Sequence, residues 1–474
     1  MNLYKLNNRF NRVVAVNLIV VVLWIILMAK GVLPGYIKSG LTGSNISHDA
    51  YHSYAQYIDS EIVTDWHGVL FAYQGIFLKK ICYFLGLKLT GLDCINVMAF
   101  IAITIMMLSV SYLSSIGCKK SAWYVFFPFI LLAIVRINGG FSLWRQDNFF
   151  TMMLIPLIAC VVALYRCHSK NVKILIACCI IILLWNCCGY RRNALILVPL
   201  IVFSIIYSSE KVKKSGFFKK ITYVAIFSGV LFILFMPVQK LIMPSVRTYP
   251  EAAMMMSDVR IAHVLRNTQE SFFADNPDME RYPAVDNVIG AYWHTPHTYK
   301  DCILCQSYYK KYSVYPTMSH SLNPYNLYYK SWQHMRRDMI VAKIIQIAQF
   351  YRLDNLPFFK STIENMYPNT RGKWGVSSSK KNVLRIWGTL LMLFILTCIS
   401  WRRIRLMNKA DITMDHLCIF LSGIVFIYYF SFLVVTPTPD YRYIAPSMII
   451  GQISIVIFIG RHIREIWQMY CKHI

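Results

Sequence analysis

Acidic side chains are scarce. Only 22 Asp and Glu stand against 49 Lys and Arg, and charged residues of both signs make up 15% of the 474 positions. In a chain that is 57% hydrophobic, that shortage of charge excludes an ordinary soluble globular protein. Nucleotide-handling signatures are missing too. There is no Walker-type loop, no GxGxxG and no nucleophile elbow, which argues against an ATP-driven transporter and against an α/β-hydrolase grafted onto membrane spans. No internal repeat is visible, so a flippase or secondary transporter, which favours repeats and charge inside spans, is the weaker alternative. No apolar run carries a histidine near its centre, as a membrane acyltransferase would need. A polymerase of surface polysaccharide is not separated by composition.

Cysteines number fourteen, yet paired metal-ligand spacing is nearly absent. Most lie in or beside apolar runs, where Cys acts as a small apolar residue. The exception is "CILC" (Cys302, Cys305) in a long polar loop. A lone CxxC lacks the second pair of ligands that zinc needs; a local disulfide and two unpaired thiols both remain open. The N-terminal apolar run is long and has no small-x-small cleavage site, so it is expected to stay as an anchor.

Apolar runs are what the chain has in abundance. They lie near 13–33, 93–115, 122–137, 149–166, 172–189, 193–209, 221–243, 384–401, 415–435 and 446–460. They are unbroken rather than alternating, and a helical span needs about 20 residues, so the runs predict helices. An eleventh segment, 67–87, has Lys79 and Lys80 in its middle. Charge parity decides its status. If it does not span and the N-terminus is cytoplasmic, the cytoplasmic pieces carry 20 Lys and Arg and the short outer loops carry 5. If it spans, "KVKKSGFFKK" and "WRRIRLMNK" fall on the opposite side from the N-terminus. The expected fold is therefore an all-α polytopic membrane protein with about ten transmembrane helices. A surface-lying helix occupies the first outer loop, with its lysines snorkelling. The basic excess then reports topology and anionic lipid heads, not nucleic acid.

Three parts follow: a membrane core, 1–243, whose first outer loop is 34–92; an extracytoplasmic aromatic-rich loop domain, 244–383; and C-terminal transmembrane helices, 384–474. The loop domain's Tyr and Trp suit either stacking on sugar faces or an interfacial belt. Its segment 331–352 has helical periodicity, with apolar positions at Ile340, Ile344, Ile347 and Ala348.

This topology gathers polar groups on the outer face. The first outer loop holds Asp49, Asp59, Glu61, Asp65 and His67. Three other loops hold Arg145 and Asp147, then Arg191 and Arg192, then Asp440, Arg442 and Tyr443. Sugar transfer from a lipid-phosphate carrier needs such parts. A carboxylate takes the acceptor proton, and cations hold the carrier phosphate as it leaves. No nucleotide site is required, because the donor arrives already activated.

The order of motifs resembles the GT-C superfamily of polyprenyl-phosphate-sugar-dependent glycosyltransferases. An early acid sits in "SHDAYHSYAQY" (Asp49). "DWHGVLFAYQG" matches the family's acid and histidine with Asp65 and His67, while Gly68 and Val69 replace its usual prolines. "LWRQDNFF" (Arg145, Asp147), "YRRNALILVP" (Arg191, Arg192, Asn193) and "DYRYIAP" (Asp440, Arg442, Tyr443, Pro446) follow in family order. The resemblance runs along nearly the whole chain, loosely over 244–383, and lies nearest the bacterial O-antigen-modifying, serotype-converting glucosyltransferases. It implies an inverting transfer in the bacterial inner membrane, on the periplasmic side, to a surface glycan or lipid-linked acceptor. Asp49 is then the general base, and Asp65 the acid that orients the acceptor or shares the proton. His67, Arg145, Asp147, Arg191, Arg192, Asp440, Arg442 and Tyr443 would contact substrate, with the arginines on the donor phosphate. Asp59 and Glu61 could hold a divalent ion, as acidic pairs do in some members. A monophosphate leaving group can be held by arginines alone, so no metal and no cofactor is expected.

Overall fold

The computed structural model describes residues 51–63, 68–117, 146–167, 169–207, 216–245, 250–268, 324–351, 353, 356–371, 380–406, 412–433 and 444–470, with isolated positions at 19, 22, 134 and 271. Within them the regular structure is entirely helical. The helices are α1 (Tyr51–Ser60), α2 (Val69–Phe84), α3 (Gly91–Gly117), α4 (Gln146–Arg166), α5 (Lys170–Tyr190), α6 (Val198–Tyr207), α7 (Phe217–Ile242), α8 (Pro250–Arg266), α9 (Pro324–His334), α10 (Arg336–Phe350), α11 (Pro357–Met366), α12 (Lys380–Leu406), α13 (Ile412–Ser431) and α14 (Ala445–Tyr470). A 3₁₀ turn, Arg192–Leu197, leads into α6.

Five helices among the described residues are long and apolar enough to cross a membrane: α3, α4, α5, α7 and α12. Shorter apolar stretches are Arg192–Ile206, Asp415–Ser431 and Ala445–Ile459. The described residues are thus all-α, with the character of a multi-pass membrane protein. The runs 13–33 and 122–137 lie outside the described residues except at Ile19, Val22 and Ile134.

Segment 67–87 is not among the five spans. Its helix, α2, has only 16 residues and ends at a Schellman-type turn, in which Gly86 (φ 79) and Leu87 donate to the carbonyls of Tyr83 and Cys82 at 3.0 and 2.8 Å. Its two mid-helix lysines are each paired. Lys79 Nζ is 2.7 Å from Asp59 Oδ1 and Lys80 Nζ is 2.8 Å from Glu61 Oε2. The expected snorkelling is therefore replaced by ion pairs to the end of α1. Asp59 Oδ1 also accepts the Gly91 amide at 2.8 Å, so one carboxylate ties α1, α2 and the start of α3 together. A capping box closes that start, with Thr90 N donating to Asp93 Oδ2 at 2.9 Å and Asp93 N to Thr90 Oγ1 at 3.2 Å. In α7 the π-helical turn Leu234–Val238 contains Pro237, which has no amide to continue the ladder.

A second, separate core joins α8, α9, α10 and α11 around Val259, Ala262, Met339, Ala342, Ile345 and Ile363. The predicted helix 331–352 is broken at Met335, between α9 and α10. Of the four apolar positions read there, Ala348 is buried and Ile347 packs against the bundle core, whereas Ile340 and Ile344 are exposed; Met339, Ala342, Ile345 and Gln349 are buried as well. Two apolar stripes lie side by side on α10, and periodicity alone does not say which one meets α8.

This core takes in a charge. Asp258 is only 2% exposed and accepts from Tyr328 Oη at 3.2 Å and Lys343 Nζ at 3.4 Å. Burial pushes its carboxyl above the ordinary value of 3.8, against the pull of Lys343 and Tyr328. The folded state then holds the proton more tightly than the unfolded one. Stability should fall as pH rises from the ordinary carboxylate range through the raised value. Asp258→Asn keeps an acceptor for Tyr328 and removes the charge. Thermal unfolding at pH 5 and pH 8 is expected to show that the variant lacks this pH dependence and is no less stable than the parent at pH 8. A large loss at pH 8 would mean that the Lys343 pair outweighs the burial cost.

Candidate functional site

Several helix ends meet on one side of the bundle, and aromatic rings join them. Phe71, early in α2, packs against Phe149 at 4.4 Å and Tyr190 at 5.6 Å between ring centroids, and Phe149 lies 6.3 Å from Tyr190. Tyr54 of α1 meets the same Phe71 at 4.6 Å, and its hydroxyl donates to the Gly68 carbonyl at 3.4 Å. The neighbouring residue Phe150 stacks on Tyr428 near the end of α13, with centroids 5.0 Å apart. Tyr428 meets Phe432, and Phe432 meets Phe350 at the end of α10. The Tyr351 hydroxyl donates to the Tyr429 carbonyl at 3.0 Å, and Trp387 Nε1 of α12 donates to the Tyr351 carbonyl at 3.2 Å.

A polar network lies beside the rings. Gln74 Nε2 donates to Asn186 Oδ1 at 2.6 Å, Tyr190 Oη donates to Gln74 Oε1 at 2.7 Å, and Asn186 Nδ2 donates to the Ile182 carbonyl at 2.8 Å. Each amide thereby meets a partner that an apolar surrounding would otherwise deny it. Helix α7 joins the same end. Tyr73 Oη donates to the Pro244 carbonyl at 2.7 Å and Trp185 Nε1 to Gln239 Oε1 at 3.3 Å. Burial pushes the Tyr73 hydroxyl's pKa up, against the pull of Lys80. Close approach is possible because Gly189 carries no side chain; a Cβ there would stand 2.5 Å from Leu70 Cδ2.

The positions nominated from sequence relate to this assembly as follows. Arg191 caps the C-terminus of α5 in an extended conformation (φ −138, ψ 113), with its amide bonded to the Cys187 carbonyl at 3.0 Å. Arg192 opens the 3₁₀ turn and is exposed. Both follow directly on Tyr190 of the ring cluster. Their positive charge suits the negative end of a helix dipole, and two guanidiniums there can hold an anion. Asp147 falls in the first turn of α4, two residues before Phe149. Asp49, Asp65, His67, Arg145, Asp440, Arg442 and Tyr443 lie outside the described residues. So do Cys302 and Cys305. Asp59 and Glu61 face lysines, as above. Among the described residues no group of three His, Cys, Asp or Glu side chains stands close enough to hold a metal.

Gln74, Asn186 and Tyr190 were not singled out from sequence. The signal was present as a lone amide, Asn186, near the end of the apolar run of α5, since a buried amide there calls for a partner on a neighbouring helix. No protein-family profile, curated protein or solved structure matches the chain.

Proposed function

We propose that the chain is a membrane glycosyltransferase of GT-C type. It moves a sugar from a polyprenyl-phosphate donor to a hydroxyl of an extracytoplasmic glycan or lipid-linked acceptor, with inversion. In this reading Asp49 takes the acceptor proton, and Asp65 orients the acceptor or shares that proton. The acceptor oxygen bonds to the anomeric carbon as the bond from that carbon to the phosphate oxygen breaks. The departing polyprenyl phosphate takes up negative charge against Arg191, Arg192 and Arg442.

One observation carries the reading. The Phe71–Phe149–Tyr190 ring cluster unites the described flanks of three sequence motifs, those holding Asp65, Asp147 and Arg191. Phe150 and Tyr428 link this cluster to the helix that precedes the Asp440–Tyr443 motif. Orientation draws support from charge. Arg166, Lys170, Lys173, Lys219 and Lys220 stand at the far ends of α4, α5 and α7 from the rings, as a cytoplasmic side requires. In this reading the ring end is extracytoplasmic, and the chemistry takes place at the periplasmic face of a bacterial inner membrane.

Proteoliposomes holding the purified chain, a radiolabelled polyprenyl-phosphate hexose and a surface glycan acceptor test this. Label is expected to move into the glycan as a single-hexose mass increment, and a nucleotide sugar in place of the lipid donor should give none. Translocation of intact donor without transfer would indicate a flippase, and a change in glycan chain length a polymerase; either result overturns the proposal.

A further inference from the structure

The second core leaves an apolar groove open on its surface. Helices α10 and α11 line it with Val341, Ile344, Phe358, Thr362 and Met366, around a volume of about 220 Å³. Phe358 is 67% exposed, and Ile344 and Met366 more than 40%. At 3.6 residues per turn, Phe358, Thr362 and Met366 follow one another along one side of α11, next to the core-facing Phe359 and Ile363. Lys360, Ser361, Glu364 and Asn365 fill the remaining arc. Such a helix has an apolar face and a polar face, as helices that lie in a lipid interface do.

Helix α10 connects the groove to the membrane bundle, since Phe350 at its end and Tyr351 after it join the bundle core. Tyr351, directly after α10, is fastened to Tyr429 and Trp387 at the ring end of the bundle. Around that anchor Phe430, Leu433 and Trp387 are exposed near the ends of α13 and α12. Ile344 stands seven residues before Tyr351, at most about 10 Å away along α10 at ~1.5 Å per residue. The headgroup layer on each side of the hydrocarbon is roughly 5–8 Å thick, and interfacial helices bury their apolar faces about 5–10 Å into it.

We propose that this groove is a docking surface for the acyl chains of bilayer lipid in the leaflet on the ring side, with α11 lying in the interface. The proposal rests on the membrane character of the bundle and not on glycosyl transfer. Phe358→p-benzoylphenylalanine, Met366→p-benzoylphenylalanine and Lys360→p-benzoylphenylalanine variants of the full chain test it. Each is reconstituted in vesicles of unsaturated phosphatidylcholine and phosphatidylglycerol, irradiated and analysed by intact mass. Several-fold more phospholipid adduct is expected at 358 and 366 than at 360. Equal adduct at all three positions, no lipid adduct at 358 and 366, a cross-link to a second copy of the chain, or an adduct of co-purified polyprenyl lipid would each overturn it.

Discussion

Asp49→Asn is expected to lower sugar transfer by about 10²–10⁴-fold, the range in which a positioned proton acceptor contributes, with no change in the amount of protein in the membrane. Asparagine keeps the shape of the side chain and cannot take a proton, so the loss should fall on kcat. Asp65→Asn separates the two roles proposed for that acid. If it orients the acceptor, its removal raises KM for the acceptor and leaves the acidic limb of the pH–rate profile in place. If it takes the proton, that limb disappears and the loss moves to kcat. The described residues next to the two acids are held in helices or by hydrogen bonds. Asp65 lies three residues before Gly68, whose carbonyl is held by Tyr54, and Asp49 lies two residues before the start of α1. Transfer that survives in both variants at parental rates would refute the assignment of a base to this loop.

The parts legible in the sequence are those that apolar length dictates. The run read at 172–189 folds as Lys170–Tyr190, and 221–243 as the Phe217–Ile242 helix, because an uninterrupted apolar stretch has no alternative that satisfies its backbone in lipid. Short segments were less determined. Whether 67–87 crosses depends on where it stops, and Gly86 with its left-handed φ ends it at Phe84. Partner choice was not legible. Lys79 and Lys80 read as lipid contacts because sequence gives no distance between α2 and α1, yet that spacing delivers them to Asp59 and Glu61. On α10, Ile340 and Ile344 formed as good a stripe as Met339 and Ala342, and only the approach of α8 chose between them. The site itself was readable as an order of motifs. The rings that draw three of those motifs together were hidden, since Phe71, Phe149 and Tyr190 look like any other aromatics in apolar runs.

Gly91→Ala should be among the most damaging single-methyl changes in the chain. A Cβ at Gly91 would lie 2.3 Å from the Ala55 carbonyl oxygen and 3.0 Å from its carbonyl carbon and Cα. Those are backbone atoms in the middle of α1, so no rotamer relieves the clash and the helix itself must shift. The shift would also strain the 2.8 Å bond from the Gly91 amide to Asp59, and with it the Lys79 pair. Gly75 offers the contrast. A Cβ there meets Ile58 Cδ1 and Cγ1, which are side-chain atoms that can give by repacking where the Ala55 backbone cannot. Overpacking of a tight core typically costs about 1–3 kcal/mol. Gly91→Ala is expected at the top of that range and Gly75→Ala near its lower end, as read by thermal unfolding of the purified protein in detergent. Because α1 carries Asp49 just before its first turn and leads into the loop holding Asp65, Gly91→Ala should also depress transfer in the protein that remains folded. Equal stability of the two variants would show that α1 yields as easily as a side chain, and that the contact between α1 and α3 does not hold the acidic loop in place.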